Sequence, residues 1–249
     1  MANQNNSSWG NMRHVLRESV ALVGFWMTAR YVLIWLLSYK PFQDRSFDRQ
    51  NNTDTDGMVP TRDLDIADPA TKWQSNLYLG SPARVTRHII TSLDIDTSNY
   101  AFVDYGSGKG RALFVAAEFP FQKVIGVEIS QQLHAVAQSN LKTYSGPALN
   151  SEIELWCGNA LDFKLPAGNL VLHMYHPFGP DVLRKMLVHI RDGAGQENRR
   201  ILIPYLFSIG VAKAVFREFP EFRCIRDELC VNNLYRWTLY EFSGNALSR

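Results

Sequence analysis

Residues 102 to 111 read Phe-Val-Asp-Tyr-Gly-Ser-Gly-Lys-Gly-Arg, and about two dozen residues after Asp104 a second apolar run, Val124-Ile125-Gly126-Val127, ends in Glu128. A short apolar strand thus runs into a turn whose alternate glycines, Gly106, Gly108 and Gly110, lack the Cβ atoms that would keep a ligand off the backbone. A carboxylate at the end of the next parallel strand stands where it can accept both hydroxyls of a ribose. Glu128 is that carboxylate, with Ser107 in the turn and Ile129 beside it completing a nucleoside-binding surface.

The glycine spacing narrows the ligand. A dinucleotide fingerprint is G-x-G-x-x-G, whereas here the series is G-x-G-x-G and its next position is Arg111. Asp104 is unfavourable beside a pyrophosphate but suits a cationic ligand such as a sulfonium amino acid. The segment therefore resembles motif I of the class I S-adenosylmethionine-dependent methyltransferases. A nicotinamide enzyme and a cofactor-binding but non-catalytic module of the same fold are the rivals.

These residues need a sheet to carry them. With 249 residues, 46% of them hydrophobic, the chain can bury one α/β core and an appendage. A strand at 101–105, a helix at 108–118, a strand at 123–128 and a helix at 131–143 alternate as a parallel sheet requires. Strands follow at 152–156, 169–175 and 200–207, with helices at 180–191 and 209–216. The runs 222–231 and 235–242, joined at Asn232-Asn233, read as a terminal hairpin. The expected fold is α/β: a Rossmann-like, seven-stranded, mostly parallel sheet with a C-terminal antiparallel β-hairpin and helices on both faces. A parallel sheet finished by such a hairpin is the architecture of the resembled family, over about residues 76–242.

Three units precede or form this domain: a hydrophobic N-terminal helix within 1–40, a polar linker or cover at 41–75, and the methyltransferase domain at 76–249. Residues 76–93 are expected to form a helix that closes the cofactor cleft. From Val20 to Leu37 every residue except Thr28 and Arg30 is apolar or aromatic, which covers the whole circumference of a helix. A membrane anchor and a helix packed on the domain both fit; Arg30 would cost a membrane span roughly 3 kcal/mol. Within the linker, Asn52, Asp54, Asp56, Gly57 and Asp63 have the spacing of a calcium loop, but Asp63 replaces the bidentate Glu and Pro60 interrupts the loop. A solvated Asx-rich turn is the better reading, and no metal is expected.

The resemblance implies further roles. After strand three, Asn159 and Ala160 stand where the family binds adenine, Asn159 replacing the usual acid; Asp162 competes for that role, and a loop-stabilising Asn159 is the plain alternative. Strand four ends in Tyr175-His176-Pro177-Phe178-Gly179, similar to the Asn-Pro-Phe segment of a bacterial methyltransferase group. His176, Pro177 and Phe178 would then face the acceptor, His176 as hydrogen-bond acceptor, as base or as a structural imidazole. Tyr78 could meet the methionine end of the cofactor or be an ordinary core or surface tyrosine. The string also looks like the seven-strand protein lysine methyltransferases, some of which carry an N-terminal hydrophobic anchor.

The expected cofactor is S-adenosylmethionine, and the acceptor, protein or small molecule, is open. A formal charge of +2, from 26 basic and 24 acidic residues, does not favour a nucleic-acid partner. Cys157, Cys224 and Cys230 fit neither a disulfide framework nor a zinc site, which points to a cytoplasmic setting, with membrane attachment through residues 20–37 as the open addition.

Overall fold

A computed structural model describes residues 45–68, 72, 75–194, 199–207, 210–231 and 235–243, with isolated positions between 20 and 29. Most of the apolar run at 20–37 and the Asn232-Asn233 turn lie outside the described residues. Among the described residues no helix is long and apolar enough to cross a membrane.

Seven strands make one sheet. They are β3 (Tyr100–Tyr105), β4 (Lys123–Glu128), β5 (Ile153–Cys157), β6 (Asn169–Tyr175), β7 (Arg200–Leu206), β8 (Phe222–Cys230) and β9 (Tyr235–Ser243), in the spatial order β5-β4-β3-β6-β7-β9-β8. Neighbours from β5 to β7 are parallel, and β9 runs antiparallel to both β7 and β8. The order reverses between β3 and β6, and ligands of open α/β sheets bind outside the carboxyl ends of the strands at that point.

Side chains alternate between the faces along each strand, so each face builds its own core. Val103, Tyr105, Leu172, Met174, Ile203 and Tyr205 meet helices α5 (Pro180–Ala194) and α6 (Val211–Arg217). On the other face Phe102, Val124, Val171, Leu202 and Trp237 meet α2 (Ala83–Ser92) and α3 (Arg111–Ala117). Because helices cover both faces, β3 is buried throughout and reads as a continuous apolar run rather than an alternating one. Helix α4 (Gln131–Thr143) follows β4, its first turn capped by Ser130, whose hydroxyl accepts from the Leu133 amide at 3.2 Å.

The segment ahead of the sheet departs from expectation at one point. Residues 76–93 are not one helix: α2 begins only at Ala83, after Pro82 at its N-cap, and Tyr78–Leu79 form a short strand, β2, paired antiparallel with β1 (Met58–Val59). Proline fixes the entry to the helix without losing a needed donor. Gly80 just before it allows the chain to pass so close to the Thr55 carbonyl that a Cβ there would lie 2.6 Å from its oxygen. Helix α1 (Arg45–Asn51) and the strap that follows it pack on the domain, Phe47 lying among Ala83, Phe114 and Val115 and Leu64 and Ile66 against Leu133.

Candidate active site

At the reversal point, β3 and β6 run in register with Asp104 opposite His173. Both side chains are buried, and His173 Nδ1 donates to Asp104 Oδ1 at 2.6 Å. A carboxylate out of water requires such a partner. Phe102 stacks on the imidazole at 5.8 Å, fixing the ring and thereby the carboxylate, which borders a cavity at the carboxyl ends of the strands.

The glycine turn follows directly. Gly106, Gly108 and Gly110 have φ of 75°, 54° and 91°, all in the left-handed region. The Gly106 and Ser107 amides donate to the Val127 carbonyl at 2.9 and 3.1 Å, and the Gly108 amide donates to Glu128 Oε2 at 2.8 Å. Glu128 Oε1 accepts from the Ser130 amide, also at 2.8 Å. Burial pushes the Glu128 carboxyl up to about 7, against the pull of the Ser130, Gly108 and Ile129 amides; Asp104 adds to the rise. Two amide bonds leave a carboxylate with unused lone pairs, and Glu128 borders the cavity.

Asn159 and Ala160 also border the cavity, with Gly158 and Ile129, whereas Asp162 is exposed and does not. Asn159 Oδ1 accepts from the Leu161 amide at 3.1 Å, so it caps the following turn, one of its two lone pairs thereby engaged. Pro177 and Phe178 form the opposite end of the cavity with Ser75, Asn76, Tyr175 and Val182. His176 does not line it. Its backbone is left-handed, with φ of 45°, and its Nδ1 shares a hydrogen bond with the Tyr205 hydroxyl at 3.0 Å. Burial pushes the imidazole down to about 4, so it is neutral at neutral pH.

Several residues here carry no role in the sequence reading. Arg111 is 2% exposed: its Nε donates to Thr55 Oγ1 at 2.7 Å, and its Nη2 lies 3.6 Å from Asp48 and 3.5 Å from Asp56. Asp48 in turn accepts from the amides of Thr55 and Asp56 at 2.9 and 2.7 Å. Asp65 accepts from the Ser130 hydroxyl and, at 3.0 Å, from the Gln132 amide, pinning the strap to the start of α4 beside Glu128. The positions with calcium-loop spacing are used in this way: Asp54 pairs with Lys109 at 2.9 Å and Asp56 flanks Arg111. Among the described residues no group of three or more His, Cys, Asp and Glu side chains is arranged to hold a metal ion. Arg111, directly after the last glycine, was the one visible signal; the strap residues form no periodic pattern.

Along the cavity the chemistry changes in a fixed order. Following the strand order β5-β4-β3-β6, an amide-bearing, partly apolar end at Asn159 and Ile129 gives way to the Glu128 carboxylate, then to the glycine turn after Asp104, and finally to Pro177 and Phe178. That sequence of groups fits an adenine, a ribose, a charged amino acid and an acceptor in turn; of the glycine turn, Gly106 and Ser107 line the cavity while Gly108 and Gly110 do not, the Tyr78 ring lying over Gly108.

Residues 72–171 match the family described as Histone methylation protein DOT1. No curated protein matches the chain in sequence. Among solved structures, an RNA methyltransferase from Salinibacter ruber in complex with S-adenosyl-L-homocysteine is 16% identical with a TM-score of 0.46, over 68% of this chain and 95% of that one. The magnesium protoporphyrin IX methyltransferase from Synechocystis with bound cofactor is 15% identical at 0.48, over 64% and 77%. A putative RNA methyltransferase from Pyrococcus horikoshii is 17% identical at 0.48, over 76% and 94%.

Proposed function

We propose that this chain, which is a class I S-adenosylmethionine-dependent methyltransferase, transfers its methyl group to a nitrogen nucleophile, an amine such as that of a protein lysine. The observation that carries the reading is the aromatic end of the cavity, formed by Ser75, Tyr175, Pro177, Phe178 and Val182 with the side-chain amide of Asn76. A neutral amine needs hydrogen-bond acceptors and desolvation there, not a strong base. The match to a family described by histone methylation supports a protein amine as the acceptor class.

When bound, S-adenosylmethionine supplies an electrophilic methyl group on sulfur. In this reading Glu128 receives the ribose hydroxyls through the lone pairs its two amide bonds leave, Asn159 and Ala160 border the adenine with Ile129, and Gly106 and Ser107 lie along the methionine portion, with Gly108 and Gly110 shaping the turn behind them. Asp104, held by His173, receives the amino group. Tyr78 covers the glycine turn, its hydroxyl donating to the Thr55 carbonyl at 2.7 Å. Pro177 and Phe178 exclude water from the acceptor, and His176 shapes the loop that carries them.

The test is transfer of a labelled methyl group to a cell lysate by the purified full-length chain, followed by acid hydrolysis and amino-acid analysis. Label recovered as methyl-lysine or another N-methyl amine supports the reading; label recovered on oxygen overturns it.

A further inference from the structure

His176 stands at the strand exit where an orienting side chain is expected, yet its ring turns to Tyr205 and leaves the cavity wall. Another side chain occupies that wall. Ser75 pairs with Phe178 as an antiparallel bridge, and the Asn76 amide donates to the Pro177 carbonyl at 3.3 Å. The Asn76 side chain then donates from Nδ2 to the His176 carbonyl at 2.7 Å. The left-handed backbone of His176, which costs a non-glycine residue on the order of 1 kcal/mol, is thus held from two sides, by Tyr205 on the ring and by Asn76 on the carbonyl.

That bond also fixes which atom of the Asn76 amide is which. With a carbonyl opposite, the nitrogen must face it, because the flipped amide would set oxygen against oxygen. The Asn76 oxygen is the remaining polar atom of a side chain that borders the acceptor end of the cavity, and no described residue donates a hydrogen bond to it. A nitrogen nucleophile must aim its lone pair along the axis of the breaking carbon–sulfur bond, which requires its N–H bonds to be received by oxygens at fixed positions.

We infer that Asn76, rather than His176, orients the acceptor nitrogen, its Oδ1 receiving one N–H of the incoming amine. The inference rests on the nitrogen-acceptor reading above. In the step so aligned, the nitrogen lone pair forms the new carbon–nitrogen bond and the carbon–sulfur pair leaves with sulfur as a thioether. The amine attacks as the free base, its ammonium proton having passed to water beforehand, and the methylated nitrogen leaves as an ammonium ion, so the positive charge moves from sulfur to nitrogen. Asn76 takes no proton at any point.

The test needs no knowledge of the natural acceptor. Sinefungin is a cofactor analogue that carries an amino group on carbon where the sulfonium methyl stands, so its N–H donors project to the acceptor end; S-adenosylhomocysteine has no group there. Calorimetry with the full-length wild type is expected to give about tenfold tighter binding of sinefungin than of S-adenosylhomocysteine, the effect of one hydrogen bond from a charged donor. Asn76→Ala is expected to erase that preference, while Asn76→Asp, which keeps an oxygen and loses the tie to His176, retains it. A preference unchanged in Asn76→Ala, or absent from a wild type that binds S-adenosylhomocysteine, overturns the inference. Equal loss in both variants reduces Asn76 to a strut for the His176 loop and overturns it too. The nitrogen-acceptor reading fails separately, by recovery of labelled methyl on oxygen.

Discussion

The Tyr78 ring lies so close over Gly108 that a Cβ on the glycine would stand 2.2 Å from Tyr78 Cε2. The cover ahead of the sheet and the glycine turn at its switch point are therefore one packed unit, and the absence of a side chain at residue 108 serves this contact as well as the left-handed backbone.

Gly108→Ala should weaken S-adenosylhomocysteine binding at least tenfold, because the new methyl group meets the ring and φ of 54° strains any residue with a Cβ. Removing the ring in a Tyr78→Ala/Gly108→Ala double variant should recover part of the loss, leaving the backbone strain. A double-mutant cycle by calorimetry reads the coupling directly. No coupling between the two positions would contradict the packing.

Cofactor affinity should fall as pH drops from 8 to 6. The Glu128 carboxyl is raised to about 7, so it is ionised above that pH and protonated below it. A protonated carboxyl has fewer acceptors for the ribose, and binding that requires the anion weakens by up to about tenfold per unit below the pKa. Asp104, Asp65 and Cys157 are the other titratable groups nearby. Glu128→Gln should bind weakly at all pH values with the dependence gone; a dependence that survives in this variant would contradict Glu128 as its source. Glu128→Ala should abolish binding while the domain remains folded.

Arg111→Met should cost about 2–3 kcal/mol in urea denaturation. Loss of the guanidinium removes the cation that Asp48 and Asp56, both mostly out of water, share. Limited proteolysis should then cut within residues 45–66. A loss under about 1 kcal/mol would mean that the strap is held by its hydrogen bonds to α4 alone.

His176 adds a pH term to stability with a definite sign. Its pKa is depressed from 6.5 to about 4 by burial, so between those values the unfolded chain binds a proton that the folded chain does not. Stability contributed by the neutral imidazole is complete above about 6.5 and declines as pH falls toward 4. His176→Asn should flatten this decline in thermal melts recorded from pH 7 to 4.5, and should retain methyl transfer, since a residue turned to Tyr205 is not the base. A loss of transfer by several orders of magnitude would restore a base role to the imidazole.

Much of the sheet was legible because its signals are local. The bounds of β4, α4 and β6 follow from short apolar runs stopped by Glu128, Ser130 and Pro177, and the glycine series marks the turn itself. The cover was not legible, and for a physical reason. Asn140 receives the Asp54 amide at 2.7 Å, Asn52 donates to the Thr143 carbonyl at 3.0 Å, and Asp65 holds Ser130. Such bonds join residues 65 to 91 positions apart and leave no period in the segment that makes them. The helix expected from Asn76 failed similarly: pairing with Met58–Val59 drew Tyr78–Leu79 into a strand, a tertiary choice that the helical spacing of residues 85 to 93 does not reveal. Asp104 and Glu128 could be singled out by position, but His173 becomes visible as the partner of Asp104 only once β6 lies beside β3.

The strap's attachments also set an order of assembly. Each closes a long loop, and the cost of closure is met only when the receiving surface, α4 with the glycine turn, already exists. Residues 45–66 should therefore dock late in folding, after the parallel sheet has formed, which pulsed hydrogen exchange of their amides would register. A growing chain emerging from the ribosome would hold this early-made segment in waiting until Thr143 has been synthesised, and the pocket is finished last by the part of the domain made first.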